Sequence, residues 1–257
     1  MIDGRMAPEG DPMTYCVAIN VEEGLVMLAD TRTNAGVDNI SRFRKMFTWQ
    51  EPGTRAIALM TAGNLSITQG VLSRIQSAID RASAGEDVET IMNCPTLYRA
   101  AEIIGEAMRE MTEAHGDAIK QSGASASASI ILSGQRKGGR PRIFLIYSAG
   151  NFIEATRDTP FLQVGEHKYG KPILDRVITP ETRLSDALKA AMVSMDSTLR
   201  SNLSVGMPLD LAVLKRDQFR FDQLRRIEQG DPQFGEVSRA WSEALKHAFA
   251  ELPSFEV

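Results

Sequence analysis

Thr14-Tyr-Cys-Val-Ala-Ile-Asn-Val21, then Glu22-Glu23, then Gly24-Leu-Val-Met-Leu-Ala-Asp30-Thr-Arg32 is the stretch that decides how the chain is read. Two apolar, β-rich runs joined by Glu-Glu-Gly read as a tight hairpin. A hairpin returns its far end to its start, so Asp30 and Arg32 come back beside Thr14. Their two-residue spacing puts both side chains on one face of a strand. A threonine whose own α-amine can serve as base, beside a carboxylate and cations, is a nucleophile that needs no histidine.

Working outward, strand signals fall at 15–21, 24–32, 45–50 and 56–62. The period then changes. Ile67, Val71, Leu72, Ile75 and Ile79 give helical spacing over 66–83, with a serine as candidate N-cap. A second helix is expected from about 96 to 120. Strand period returns at 126–136, 142–148 and 152–156, a helix at 182–201, a hairpin of 210–215 with 218–225 around Arg216-Asp217, and an amphipathic helix at about 235–250. Clustered strands and clustered helices exclude βαβ alternation and imply antiparallel sheets. Two such sheets between two helical layers satisfy this order, an α+β arrangement.

The chain has 257 residues, 43% of them hydrophobic, and a net charge of −4. That is enough for a sizeable core, and it supplies no electrostatic reason to expect nucleic acid or a membrane surface as partner. No apolar run approaches the roughly 18 residues that span a bilayer. The N-terminus lacks a secretory pattern. Two cysteines, Cys16 and Cys94, form no disulfide framework and suit a reducing cytoplasm. Cys16 reads as a buried core thiol. Residues 1–13 have no periodicity and are rich in breakers. They read as an extension, either a propeptide or a scar left by expression, since Ile2-Asp-Gly-Arg5 resembles a protease site. Residues 14–257 then form a single domain, with a C-terminal hairpin and helix from about 210. Met13-Thr14 is notable, because an initiator Met before Thr is readily removed.

Three motifs, Thr14-Tyr-Cys-Val17, Asp30-Thr-Arg-Thr-Asn-Ala-Gly-Val-Asp-Asn-Ile40 and Arg44-Lys-Met-Phe47, occur in an order that resembles the proteasome β-subunit family of N-terminal-nucleophile hydrolases. Within it the chain is most similar to the bacterial Anbu, or ancestral β-subunit, branch. The resemblance covers roughly residues 14–220. It implies a four-layer αββα sandwich and a threonine-type endopeptidase or amide hydrolase with Thr14 as nucleophile. Lys45 would lie beneath Thr14, held by Asp30 through a charge-assisted hydrogen bond, with Arg32 orienting. The alternative for Asp30 and Arg32 is a surface pair of little consequence. Gly63, in Thr61-Ala-Gly63-Asn64, would offer its N–H to an oxyanion.

The chain departs from the family at two places. Where proteasome β-subunits carry Arg-Asp-x-x-Ser-Gly, it reads Arg200-Ser201-Asn-Leu-Ser204-Val-Gly206, so that Ser204 matches and Ser201 replaces an Asp. The family's Gly-Ser-Gly-Ser loop is replaced by Gly165-Glu-His-Lys168. These changes keep open a scaffold protein of the same fold with weak or no peptidase activity, or a small-molecule amidase. His115, His167 and His247 call for no role. No metal-ligand spacing and no phosphate-binding glycine loop occur, and no cofactor is expected. The expected partners are the chain itself, as a ring or an open helical or lock-washer homo-oligomer, and a peptide or amide substrate. The natural substrate and any ATPase partner are not legible.

Overall fold

The structure is a computed structural model that describes residues 14–34 and 40–255. The extension read at 1–13, and residues 35–39 of the second motif, lie outside the described residues. Among the described residues are twelve strands and five helices: β1 Tyr15–Val21, β2 Gly24–Asp30, β3 Arg32–Asn34, β4 Ile40–Arg42, β5 Met46–Glu51, β6 Arg55–Gly63, α1 Leu65–Ser83, α2 Leu97–Gln121, β7 Ala128–Arg136, β8 Arg142–Tyr147, β9 Phe152–Glu154, β10 Phe161–Gly165, α3 Lys171–Val177, α4 Leu184–Ser201, β11 Leu209–Lys215, β12 Gln223–Ile227 and α5 Pro232–Ala250.

Two five-stranded sheets carry the fold, in the orders β10-β1-β2-β11-β12 and β5-β6-β7-β8-β9, with a small β3-β4 ribbon beside them. Every pairing is antiparallel. Cys16, Ala18, Leu25 and Met27 of one sheet meet Ala58, Met60, Ile131 and Ile143 of the other in a core between the sheets. On the outer face of the first sheet, Tyr15, Val17, Val26 and Leu28 pack on Ala187, Ala191 and Met195 of α4, with Leu174 of α3 and Phe234 of α5. On the outer face of the second, Ile57, Leu59, Ile130 and Leu132 pack on Ile67, Val71, Ala100 and Ile104 of α1 and α2. The result is the four-layer αββα sandwich. Strand β2 is buried along its whole length. A strand covered on both faces reads as a continuous apolar run, and Leu-Val-Met-Leu-Ala does.

The details differ from expectation in three places. The cap of α1 is Asn64, whose side chain accepts from the N–H groups of Ser66 and Ile67, rather than a serine. Four elements were unforeseen, β3 and β4 of the small ribbon, β10 and α3. Each is short, and α3 has a proline in its first turn. The C-terminal hairpin turns over a longer loop than Arg216-Asp217. The Asp217 N–H donates to the Gln135 side chain, and pairing resumes only at Gln223.

The register collects particular residues at one end of the sandwich. Cys16 faces Ala29, Asp30 faces Leu209, and Tyr15 faces Gly165. Gly165 adopts φ +81°, and a Cβ there would sit 1.7 Å from the Thr14 carbonyl oxygen. Gly165→Ala must therefore strain its own backbone or push β10 from β1. It is expected to cost about 1–3 kcal/mol, read as a fall in Tm. An unchanged Tm would show that the two strands do not depend on this close approach.

Candidate active site

Thr14 immediately precedes β1 and is buried. Its carbonyl accepts the Glu166 N–H at 2.6 Å. The next residue, Tyr15, donates its N–H to Asp30 Oδ1 at 3.1 Å. Asp30 closes β2 and is fully buried. Lys45 Nζ donates to the same Oδ1 at 2.7 Å and to the Arg32 carbonyl at 2.5 Å. Asp30 Oδ2 accepts the N–H groups of Arg32 at 3.2 Å and Gly206 at 3.3 Å. The carboxylate thus takes four hydrogen bonds, one charged. Burial pushes its pKa up, and the Lys45 charge and hydrogen bond, with two backbone N–H groups, oppose that.

Arg32 serves the cluster through its backbone. Its N–H and carbonyl hold Asp30 and Lys45, while its guanidinium turns to the Leu203 carbonyl at 2.6 Å. The loop after α4 is therefore pinned at Leu203 and again at Gly206. A Cβ on Gly206 would fall 2.2 Å from Arg32 Nε, so a larger residue there would displace the guanidinium from its present place. Ser204 is buried in this loop and donates its N–H to Asn202 Oδ1 at 2.9 Å. Ser201 ends α4 with its side chain in solvent. It stands outside the Asp30 network. Gly63, at φ +96°, ends β6 directly before the Asn64 cap of α1, where a helix N-terminus favours negative charge.

Two groups near Thr14 escaped the sequence reading. Asn202 Nδ2 donates to Glu166 Oε2 at 3.0 Å, tying the loop after α4 to the loop after β10. An Asn two residues before a Ser is an Asx-turn signal, and it was available in Asn202-Leu-Ser204. On the outer face of the first sheet, the Tyr15 hydroxyl meets Ser194 Oγ at 2.5 Å and accepts from Gln163. Burial pushes the Tyr15 phenol up to about 12. Burial also raises Cys16, an inert thiol in the inter-sheet core. His167 lies in the exposed part of the loop after β10, with its ring against the Gly165 carbonyl. Among the described residues no cluster of His, Cys, Asp and Glu is suited to a metal, and no helix is long and apolar enough to cross a membrane.

Removing Lys45 would leave Asp30 as a buried charge without its cation. Lys45→Ala is expected to cost about 3–5 kcal/mol at neutral pH. The loss should shrink as pH falls, because the folded state, with a raised Asp30 pKa, binds more protons than the unfolded state. Denaturant titration at pH 5 and pH 8 reads this directly. A penalty independent of pH would mean that Asp30 does not carry the lost charge.

No protein-family model and no curated protein matches the chain. Solved structures do. Anbu from Hyphomicrobium sp. strain MC1 is 49% identical with a TM-score of 0.85, over 95% of this chain and 100% of that one. Anbu, the ancestral β-subunit, from Yersinia bercovieri is 44% identical with a TM-score of 0.87, over 95% and 99%. The Anbu complex from Pseudomonas aeruginosa, solved as a helical assembly, is 45% identical with a TM-score of 0.88, over 95% and 98%. With identity at this level along almost its whole length, the chain belongs to the Anbu family of proteasome β-subunit-like proteins, on the N-terminal-nucleophile hydrolase fold.

Proposed function

We propose that the chain is a threonine-type hydrolase of peptide or amide bonds, with Thr14 as N-terminal nucleophile, acting in the cytoplasm. The observation that carries this reading is the buried Lys45–Asp30 pair, 2.7 Å apart and bound to the residue next to Thr14. In the chain as given the Thr14 nitrogen is an amide joined to Met13, which is no base near neutral pH. Once that bond is cut, the free amine, a group whose reference pKa is about 7.7–8.0, takes the Thr14 hydroxyl proton. Oγ then attacks the substrate carbonyl carbon. The Gly63 N–H faces the developing oxyanion, a contribution of about 3–4 kcal/mol for such a donor. The amine returns the proton to the leaving nitrogen as the C–N bond breaks. Water then cleaves the ester on Thr14 by the same exchange. Lys45 supplies fixed positive charge behind the nucleophile. Asp30 holds Lys45, and Arg32 and Ser204 hold the surrounding backbone.

The second reading, a scaffold of the same fold with little peptidase activity, has its own observation. Ser201 is exposed, and a carboxylate, Glu166, stands where the family has a serine. An electrophile that captures N-terminal threonines separates the two readings. The form beginning at Thr14, which retains every described element, is expected to be labelled at Thr14 and the extended form not. Thr14→Ala should abolish labelling and Thr14→Ser keep part of it. Equal labelling and turnover by extended and trimmed protein would remove Thr14 from the role.

The same reading includes self-assembly, as a ring or as an open helix like that of the Pseudomonas complex. Along α5, Phe234 is buried on its own domain, but Leu245 is 49% exposed and Phe249 77%. An exposed apolar stripe of this kind marks an interface. Sedimentation at micromolar concentration should give multi-subunit species. A single 28 kDa species would end the assembly proposal.

A further inference from the structure

A closed circuit of contacts runs around Thr14. Its carbonyl accepts the Glu166 N–H, and the Glu166 carboxylate accepts from Asn202 Nδ2. Asn202 heads the loop whose Gly206 N–H reaches Asp30, and Asp30 returns to the Tyr15 N–H. Tyr15 pairs with Gly165, and the 2.6 Å bond from the Glu166 N–H to the Thr14 carbonyl makes Thr14 and Glu166 direct neighbours just beyond that last pair. The Glu166 side chain is only 12% exposed. One carboxylate of the circuit, Asp30, is neutralised by Lys45 at 2.7 Å. Among the described residues, the other has a neutral amide on one oxygen and the ammonium of Lys168 at 3.5 Å, itself largely in solvent, on the other.

We propose that Glu166, held in place by Asn202, is the anionic partner of the α-amine that Thr14 presents once its nitrogen is free, and that it raises the pH at which this amine becomes a base. The inference rests on the reading that Thr14 becomes N-terminal. It makes Glu166 a tuning residue and Asn202 a positioning residue. An opposite charge within about 4–6 Å raises an amine's pKa by roughly one to three units. The other charged groups around the site divide between the two signs. Lys45 lowers the amine's pKa but is matched by Asp30. The Arg32 guanidinium is directed to the Leu203 carbonyl. Arg200, on the last turn of α4, is paired with Asp196 at 3.0 Å. Lys168 lies on Glu166's own loop and partly offsets it, so the difference between Glu166 variants, rather than the absolute midpoint, isolates its charge.

The test needs no turnover. Acetylation of the Thr14 α-amine by acetic anhydride is followed against pH by peptide mass spectrometry, in the form beginning at Thr14. Its midpoint should lie above the ordinary 7.7–8.0. Glu166→Gln should lower it by about one unit or more. Glu166→Asp should give an intermediate value, and Asn202→Ala a smaller fall in the same direction. Glu236→Gln, on the exposed face of α5, should leave it unchanged. A Glu166→Gln midpoint equal to or above that of the parent overturns the proposal, as does a fall of the same size in Glu236→Gln. The two readings fail separately. An amine that titrates as stated on a protein that no electrophile labels at Thr14 keeps this inference and removes the hydrolase. Labelling with an unmoved midpoint does the reverse.

Discussion

The Asp30 carboxylate is the constraint on which the site depends. It is fully buried, and a buried charge is tolerated only when it is paired and its lone pairs are occupied. Four donors meet that demand, and they come from four places: the start of β1, the residue after Thr31, Lys45 before β5, and Gly206 before β11. The pair adds little net stability, since desolvation offsets most of the Coulomb attraction. What it fixes is position. None of the four segments can move without leaving a charge or a lone pair unmatched in a dry interior, so Thr14 is held by the cost of disturbing its neighbour.

The sandwich puts these segments in reach. β1 begins, β2 and β10 end, and β11 begins at the same end of one sheet, while Lys45 leads into β5 and Gly63 ends β6 at the adjoining end of the other. Strand ends are where backbone N–H groups are released from the ladder and become available to a carboxylate. One glycine then permits a contact that any side chain would forbid, Gly165 against the Thr14 carbonyl, and Gly206 leaves room for the Arg32 guanidinium. The layers make the frame rigid, and the missing Cβ atoms let the loops close on it.

What was legible follows from range. The hairpin could be read because its two strands are contiguous and its alternation is uninterrupted, and Asp30 followed from hairpin geometry alone. The four-layer order followed from the grouping of periods along the chain. Lys45 was legible only through the family motif, because nothing in Arg44-Lys-Met-Phe47 shows that its ammonium crosses to Asp30. β10 was missed because Phe161-Leu-Gln-Val-Gly165 is five residues long and gains its stability from pairing with β1, at a separation no local period reports. Arg32 had a place but not a direction: a strand pattern gives a face, while its guanidinium follows a carbonyl more than 170 residues away. Asn202 belongs to the same class, since it is ordinary in its own loop, and Glu166 stood out only as a departure from the family's loop, with a partner that appears only when the loops meet.

That meeting also accounts for how a site can depart from its family's residues and keep its frame. The departure at Glu166 and the residue that follows the departure at Ser201 are the two ends of one contact. A carboxylate introduced beside Thr14 needs a donor, and an amide at Asn202 supplies one without bringing a second charge that would cancel the first. Its Oδ1 meanwhile caps the Ser204 N–H, so one side chain satisfies the loop and the carboxylate together. Ser201 is then released from the site and points to solvent. The Asp30 side of Thr14, where charge is neutralised and every donor is backbone or Lys45, sets geometry. The Glu166 side, where charge is held by a neutral partner and edged by solvent, is the side on which a substitution alters electrostatics while the fold stays as it is.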